Sequence, residues 1–218
     1  MLMSRRIVLA GLAALTALSL GVSVPLRAQQ EGTEFRRVIP RQPTESPGKI
    51  EVTEFFSYAC PHCHEFYPLL TAWIAQQPKD VVLKRVPVGF GRPPWENLQR
   101  AFYALKVTGD YQRLDGLLFS AIHDKHEMLD EEPALAEWVA HNGGSADKFA
   151  AAYTSFSVNN QTVQADKMAE DYAVDAVPTM AVNGEYVALG ESYAEILTNT
   201  TKLVARVRAE RSAAKPAR

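Results

Sequence analysis

Cysteine is nearly absent from this chain: among 218 residues there are two, Cys60 and Cys63. That excludes a fold stapled by several disulfides, and a chain of this length can bury a sizeable core without them. A bridge between cysteines so close in sequence closes almost no loop, so it would stabilise little. Its purpose, if it forms, is chemical. Positive charge is not in excess either. Lys and Arg number 23 against 25 Asp and Glu, and the first 28 residues hold three of the arginines and no acid, which leaves 20 basic against 25 acidic side chains in the rest. Such a balance argues against nucleic acid as a partner.

Long apolar runs are missing except at the start, where Ile7 to Val24 is broken only by Gly, Thr and Ser. Arg5 and Arg6 precede this run and Leu26-Arg27-Ala28 comes after it, the pattern of an export signal cut after Ala28. A retained membrane anchor is the alternative, since about 18 weakly polar residues just suffice to cross a bilayer. Ser4 to Leu9 also resembles a twin-arginine signal, but short basic segments produce Arg-Arg by chance, so ordinary secretion is expected.

The rest of the chain is punctuated clearly. Glu34–Val38 and Lys49–Ser57 predict strands, the second rich in β-branched and aromatic residues, separated by a loop holding Pro40, Pro43, Pro47 and Gly48. Phe66, Leu69, Leu70, Trp73 and Ile74 then recur at helical spacing up to Pro78, and Val81–Val86 predicts a third strand, completing a strand-helix-strand unit with a right-handed crossover. From Pro93 to about Tyr172 the pattern is helical alone. The apolar stripes are Leu98, Phe102 and Leu105; then Leu114, Leu117, Leu118 and Ile122; then Leu135, Trp138 and Val139; Ser145 caps a segment with Phe149 and Tyr153. Four or five short helices are expected. Strand character returns at Thr179–Val182, Asn183-Gly184 signals a hairpin, and Glu185–Leu189 predicts the returning strand. A last helix, roughly Glu191–Arg211, closes an α/β fold with an inserted all-helical subdomain. The expected divisions are a signal at 1–28, α/β parts at 29–92 and 172–212, the insertion at 93–171 and a tail at 213–218.

Cys60-Pro61-His62-Cys63-His64 satisfies two patterns, the redox dithiol C-x-x-C and the c-type haem attachment signature C-x-x-C-H. The first makes the protein an oxidoreductase acting on thiols; the second makes it an electron carrier. Position favours the first. The motif comes directly after a strand and opens a helix, and Met128, Met168 and Met180 are each explained by packing rather than as a second iron ligand. The four candidate ligands Cys60, His62, Cys63 and His64 within five residues cannot all converge on one tetrahedral ion, so no metal is expected. His123 and His126 read as a solvated helix end, His141 as a helix C-terminal charge, and His64 as an exposed first-turn residue.

Cys60 falls at a helix N-terminus, where unpaired backbone donors and the helix dipole stabilise a thiolate. Cys63, one turn in, is expected to be buried and to act as the resolving partner. Pro61 suits a first turn that needs no amide donor, and a protonated His62 would favour the Cys60 thiolate further. Glu54, an acid within an apolar strand, is costly unless paired or functional. Lys84 is its expected partner. The bland alternative is that both point to solvent, because Val52, Glu54 and Phe56 alternate with Glu51, Thr53 and Phe55 and neither set is plainly the buried one.

The run EVTEFFSYACPHCHEFYP, with VPTMAVNGEY at a distance beyond it, resembles the DsbA family of bacterial periplasmic thiol:disulfide oxidoreductases. That family has a thioredoxin fold with an inserted helical domain, and the likeness covers nearly all of the chain after the signal. It implies that Cys60 is the nucleophile, Cys63 the resolving cysteine and His62 the residue that stabilises the thiolate. It also implies that Pro178 is a cis-proline facing the disulfide and that the Val177 backbone pairs with bound substrate beside Pro61; an ordinary trans turn is the alternative the sequence leaves open. Glu54 and Lys84 match a pair beneath the disulfide, with Glu54 assisting proton transfer at Cys63. The resemblance further implies unfolded exported proteins with free cysteines as substrates in the periplasm and reoxidation by a DsbB-type quinone-linked membrane partner; no cofactor is needed beyond the Cys60–Cys63 disulfide, whose two sulfurs carry the electrons, and nothing in the sequence demands more than a monomer. A thioredoxin-like reductase is the nearest alternative, since one fold hosts both. Ala188-Leu189-Gly190-Glu191-Ser192 is short beside the corresponding stretch of well-known members, which bears on the shape of the substrate groove.

Overall fold

The computed structural model describes residues 29–214. The signal expected at 1–28 and the last four residues lie outside the described residues. Twelve elements succeed one another: β1 (Phe35–Arg37), β2 (Ile50–Phe56), α1 (Pro61–Ala75), β3 (Val81–Pro87), α2 (Pro93–Thr108), α3 (Tyr111–His123), α4 (Glu132–His141), α5 (Ala146–Tyr153), α6 (Phe156–Asp171), β4 (Thr179–Val182), β5 (Tyr186–Ala188) and α7 (Tyr193–Ala213). The last helix runs two residues past the expected Arg211 and starts at Tyr193, because Ser192 caps it by accepting a hydrogen bond from the Glu195 amide.

The strands form one sheet in the order β1-β5-β4-β2-β3, with β2 and β3 parallel and the other pairs antiparallel. All seven residues of β2 are buried, Glu51, Thr53 and Glu54 included. That is why alternation could not choose a face: a central strand covered on both sides shows no polar edge. One apolar cluster joins Ile50, Val52 and Met180 to Phe66 and Leu70 of α1 and Leu203 of α7. The other joins Phe55 and Phe56 to Phe102, Leu114, Phe119, Leu135, Trp138 and Phe149 of the insertion. The helical stripes are therefore core, as expected, apart from Leu69 and Leu117, which are 45% and 47% exposed, and the half-buried Ile122.

The hairpin between β4 and β5 turns on Asn183 and Gly184, both with positive φ (58° and 69°), the conformation that a two-residue primed turn requires. A side chain at Gly184 would run into the Gln42 carbonyl, and the Gln42 amide donates to the Gly184 oxygen at 2.9 Å. Only glycine satisfies both demands.

Candidate active site

The strand-to-helix junction makes the site. Cys60 is the N-cap of α1 in an extended conformation (φ −90°, ψ 117°) and Pro61 starts the helix, where its missing donor costs nothing. Cys60 is 5% exposed and Cys63 is fully buried. Both are free thiols. The Cys63 and His64 amides donate to the Cys60 carbonyl at 3.1 Å each, closing the first turn.

The two sulfurs are driven in opposite directions. A hydrogen bond from Cys63 lowers the Cys60 thiol most, the Cys63 and His62 backbone amides and the His62 charge add to it, and burial opposes; the result is about 6. Burial pushes the Cys63 thiol up, helped by Cys60 and by the charge of Glu54. One thiol therefore ionises near neutral pH while its partner holds its proton. His62 is exposed, with Nδ1 3.1 Å from the Tyr193 hydroxyl and 3.6 Å from Glu65. Tyr193 in turn donates to Glu65 at 2.8 Å. The short stretch before α7 thus delivers a tyrosine onto the side chain between the cysteines.

Across the cleft lies the connection from α6 to β4. The Val177–Pro178 peptide is cis, and the Cys60 Sγ sits 3.5 Å from the Val177 carbonyl oxygen. Arg36 of β1 braces this segment by donating to the Tyr172 and Ala173 carbonyls at 2.7 and 2.9 Å. Nothing in the sequence near Arg36 marks that role, since its partners lie more than 130 positions away.

Beneath the dithiol the expected pairing is corrected. Glu54 is paired with Arg85, whose Nε donates to Glu54 Oε2 at 2.5 Å, and Lys84 binds Glu45 at 2.8 Å. The register explains it: Glu54 stands opposite Arg85 and Thr53 opposite Lys84, so neighbouring side chains on β3 emerge on opposite faces and only Arg85 shares the face of Glu54. Arg85 also donates through Nη1 to both oxygens of Asp115 (2.8 and 2.6 Å), and the Tyr58 hydroxyl donates to Asp115 Oδ1 at 2.5 Å. The guanidinium lies 3.8 Å from the centre of the Phe56 ring. Burial raises the Glu54 carboxyl, Arg85 pulls it down and Asp115 pushes it up; the net direction is upward. No local signal in the sequence marks Arg85, Asp115 or Tyr58 as members of the site.

His64 is also corrected. Its ring stacks on His123 (centroids 5.1 Å apart, planes 19° apart) and Nε2 lies 2.9 Å from Asp124. His123 Nε2 donates to the Tyr58 carbonyl at 2.7 Å, so His123 is docked against the site rather than solvated, whereas His126 beyond it is exposed, as expected. Among the described residues no group of three or more His, Cys, Asp or Glu side chains could hold a metal ion.

The model of the DSBA-like thioredoxin domain family matches residues 51–200. The chain belongs to the DsbA family. It is 37% identical over 193 residues to the thiol:disulfide interchange protein DsbA of Burkholderia cepacia, covering 86% of this chain and 90% of that one. Among solved structures it is similar to Pseudomonas aeruginosa DsbA (36% identity, TM-score 0.75, 84% and 95% of the two chains) and to the oxidoreductase DsbA from Xylella fastidiosa (34%, TM-score 0.79, 83% and 98%). DsbA membership decides between the two readings of CPHCH: the protein is a thiol:disulfide oxidoreductase on a thioredoxin fold with a helical insertion, as the resemblance implied.

Proposed function

We propose that this DsbA-family protein introduces disulfides into exported proteins in the periplasm, acting as a single chain through its own Cys60–Cys63 disulfide. The observation that carries this reading is the split between the two thiols, Cys60 brought down to about 6 and Cys63 pushed up. A stable Cys60 thiolate favours the reduced protein, which makes the disulfide form an oxidant.

In the proposed cycle a substrate thiolate attacks Cys60 Sγ. The Cys60–Cys63 bond breaks, Cys63 departs with the bonding electron pair and takes up a proton, and a mixed disulfide joins Cys60 to the substrate. A second substrate thiolate attacks the substrate sulfur of that bond, and Cys60 leaves as a thiolate. Two electrons have passed from substrate to protein, and a DsbB-type quinone-linked membrane protein would remove them. His62 favours the departing Cys60 thiolate. Val177, beside Pro178 and Pro61, offers the substrate its backbone. Glu54 serves Cys63 as proton partner, its charge moderated by Arg85. The export signal expected at 1–28 fits this compartment, and among the described residues no helix is long and apolar enough to cross a membrane.

The test is equilibration of the protein, freed of its signal, with a glutathione redox buffer. A potential far more oxidising than that of thioredoxin supports the reading, and a thioredoxin-like potential would make the protein a reductase.

A further inference from the structure

Two carboxyl groups and one guanidinium are buried together, with Glu54 near enough to Cys63 for its charge to act on that thiol, and they come from three elements: Glu54 from β2, Arg85 from β3 and Asp115 from α3 of the insertion. Asp115 receives Arg85 Nη1 on both oxygens and the Tyr58 hydroxyl as well. Glu54 receives only Arg85 Nε, on Oε2, and its Oε1 is buried with no hydrogen-bond partner. The other titratable groups facing this set are Tyr111 and Tyr67 around Arg85 and Asp115, and Cys63 near Glu54. The exposed Lys106 stands over the Tyr111 ring, 5.8 Å from its centre, and touches neither carboxyl. Among the described residues Arg85 is thus the one cation that pairs with either acid. With both carboxyls ionised, a negative charge would stand uncompensated away from water, which is costly. A proton on one carboxyl removes that cost, and the group with fewer donors, Glu54, is the one to take it.

We propose that Asp115 is a positioning residue for the dithiol: by claiming the Nη1 side of Arg85, it makes Glu54 the carboxyl that carries a proton beneath Cys63. This rests on the reading of Glu54 as the proton partner of Cys63. When the disulfide opens, Cys63 leaves with the bonding electron pair and takes the Glu54 proton, leaving a carboxylate beside Arg85. When Cys63 is reoxidised, its proton returns to that carboxylate. The inserted subdomain thereby contributes a charge to the chemistry as well as a wall to the cleft.

The experiment is an infrared pH titration of the oxidised protein, in which no thiol competes for the proton. Glu54 is identified as the carboxyl band that Glu54→Gln deletes. In the unaltered protein its midpoint should lie above the ordinary carboxylate range. In Asp115→Asn it should fall by about one pH unit or more, ten-fold in proton affinity, and the pH profile for oxidation of a dithiol peptide should move with it. Asp115→Asn leaves one carboxylate opposite one guanidinium, a balanced pair that the fold can hold. An unmoved Glu54 midpoint in Asp115→Asn would overturn the role of Asp115 alone. An ordinary midpoint in the unaltered protein would overturn it without any variant. If Glu54→Gln deletes the band yet leaves the oxidation profile unchanged, the reading of Glu54 itself fails, and this inference with it.

Discussion

The upper and lower sides of the dithiol are built by different means. Above, everything that lowers the Cys60 thiol comes from its own neighbourhood, from Cys63 three positions on, from two amides of the first helical turn and from His62, with burial alone opposing. Below, Glu54, Arg85 and Asp115 are separated by about thirty positions at each step and meet only because β2, β3 and α3 pack together. The lesson is that a nucleophile can be prepared by a few consecutive residues, whereas the proton supply to its partner needs a folded interior.

The largest expected effect breaks the lower side. Arg85→Met leaves Glu54 and Asp115 buried without a counter-ion and should destabilise the protein by about 3–5 kcal/mol in denaturant unfolding. A loss below about 1 kcal/mol would mean that the carboxyls simply take up protons.

Next comes the pH dependence of the upper side. Cys60 is an acid whose folded value, about 6, lies below its ordinary value of 9.0, so the thiolate's contribution to the reduced protein is complete above about pH 9 and is lost as pH falls through 6. At pH 7 it amounts to roughly 1.4 kcal/mol. The oxidised protein has no such group. The reduced form should therefore gain stability relative to the oxidised form between pH 6 and pH 9, measured by paired thermal melts, and parallel curves would contradict the thiolate.

A smaller change sharpens the upper side from within. His62→Leu should raise the Cys60 titration midpoint, tracked by thiolate absorbance, by less than about one pH unit (about 1.4 kcal/mol), because the His62 charge is the last of the depressing causes. No change would remove His62 from the mechanism. The smallest effect is reserved for the residue that the sequence favoured below the dithiol. Lys84→Ala breaks only the pair with the exposed Glu45 and should cost less than about 1 kcal/mol, with no change in the potential. A shift in potential there would return Lys84 to the site.

The same contrast separates what is legible in the sequence from what is not. Strand and helix order, the helical insertion, the hairpin at Asn183-Gly184 and the Cys60 N-terminus all depend on neighbours within a few positions, so periodicity, caps and turn chemistry disclose them. Glu54 stands out because an acid in an apolar strand is costly wherever it points. Its partner is misread from the sequence because β2 is buried on both faces and the choice between Lys84 and Arg85 turns on a one-residue register. His64 reads as exposed because nothing local shows the end of α3 arriving against it with His123 and Asp124.

By itself, then, the sequence determined the reactive end of this protein: a dithiol at a helix start, held by bonds that local backbone geometry makes obligatory. Only the tertiary structure decided which cation sits beneath it, that Asp115 shares that cation, that Tyr193 meets His62 and that Arg36 braces the loop carrying Val177 and Pro178. Those contacts join residues distant in sequence, and their partners are chosen by register and packing, which no local pattern encodes.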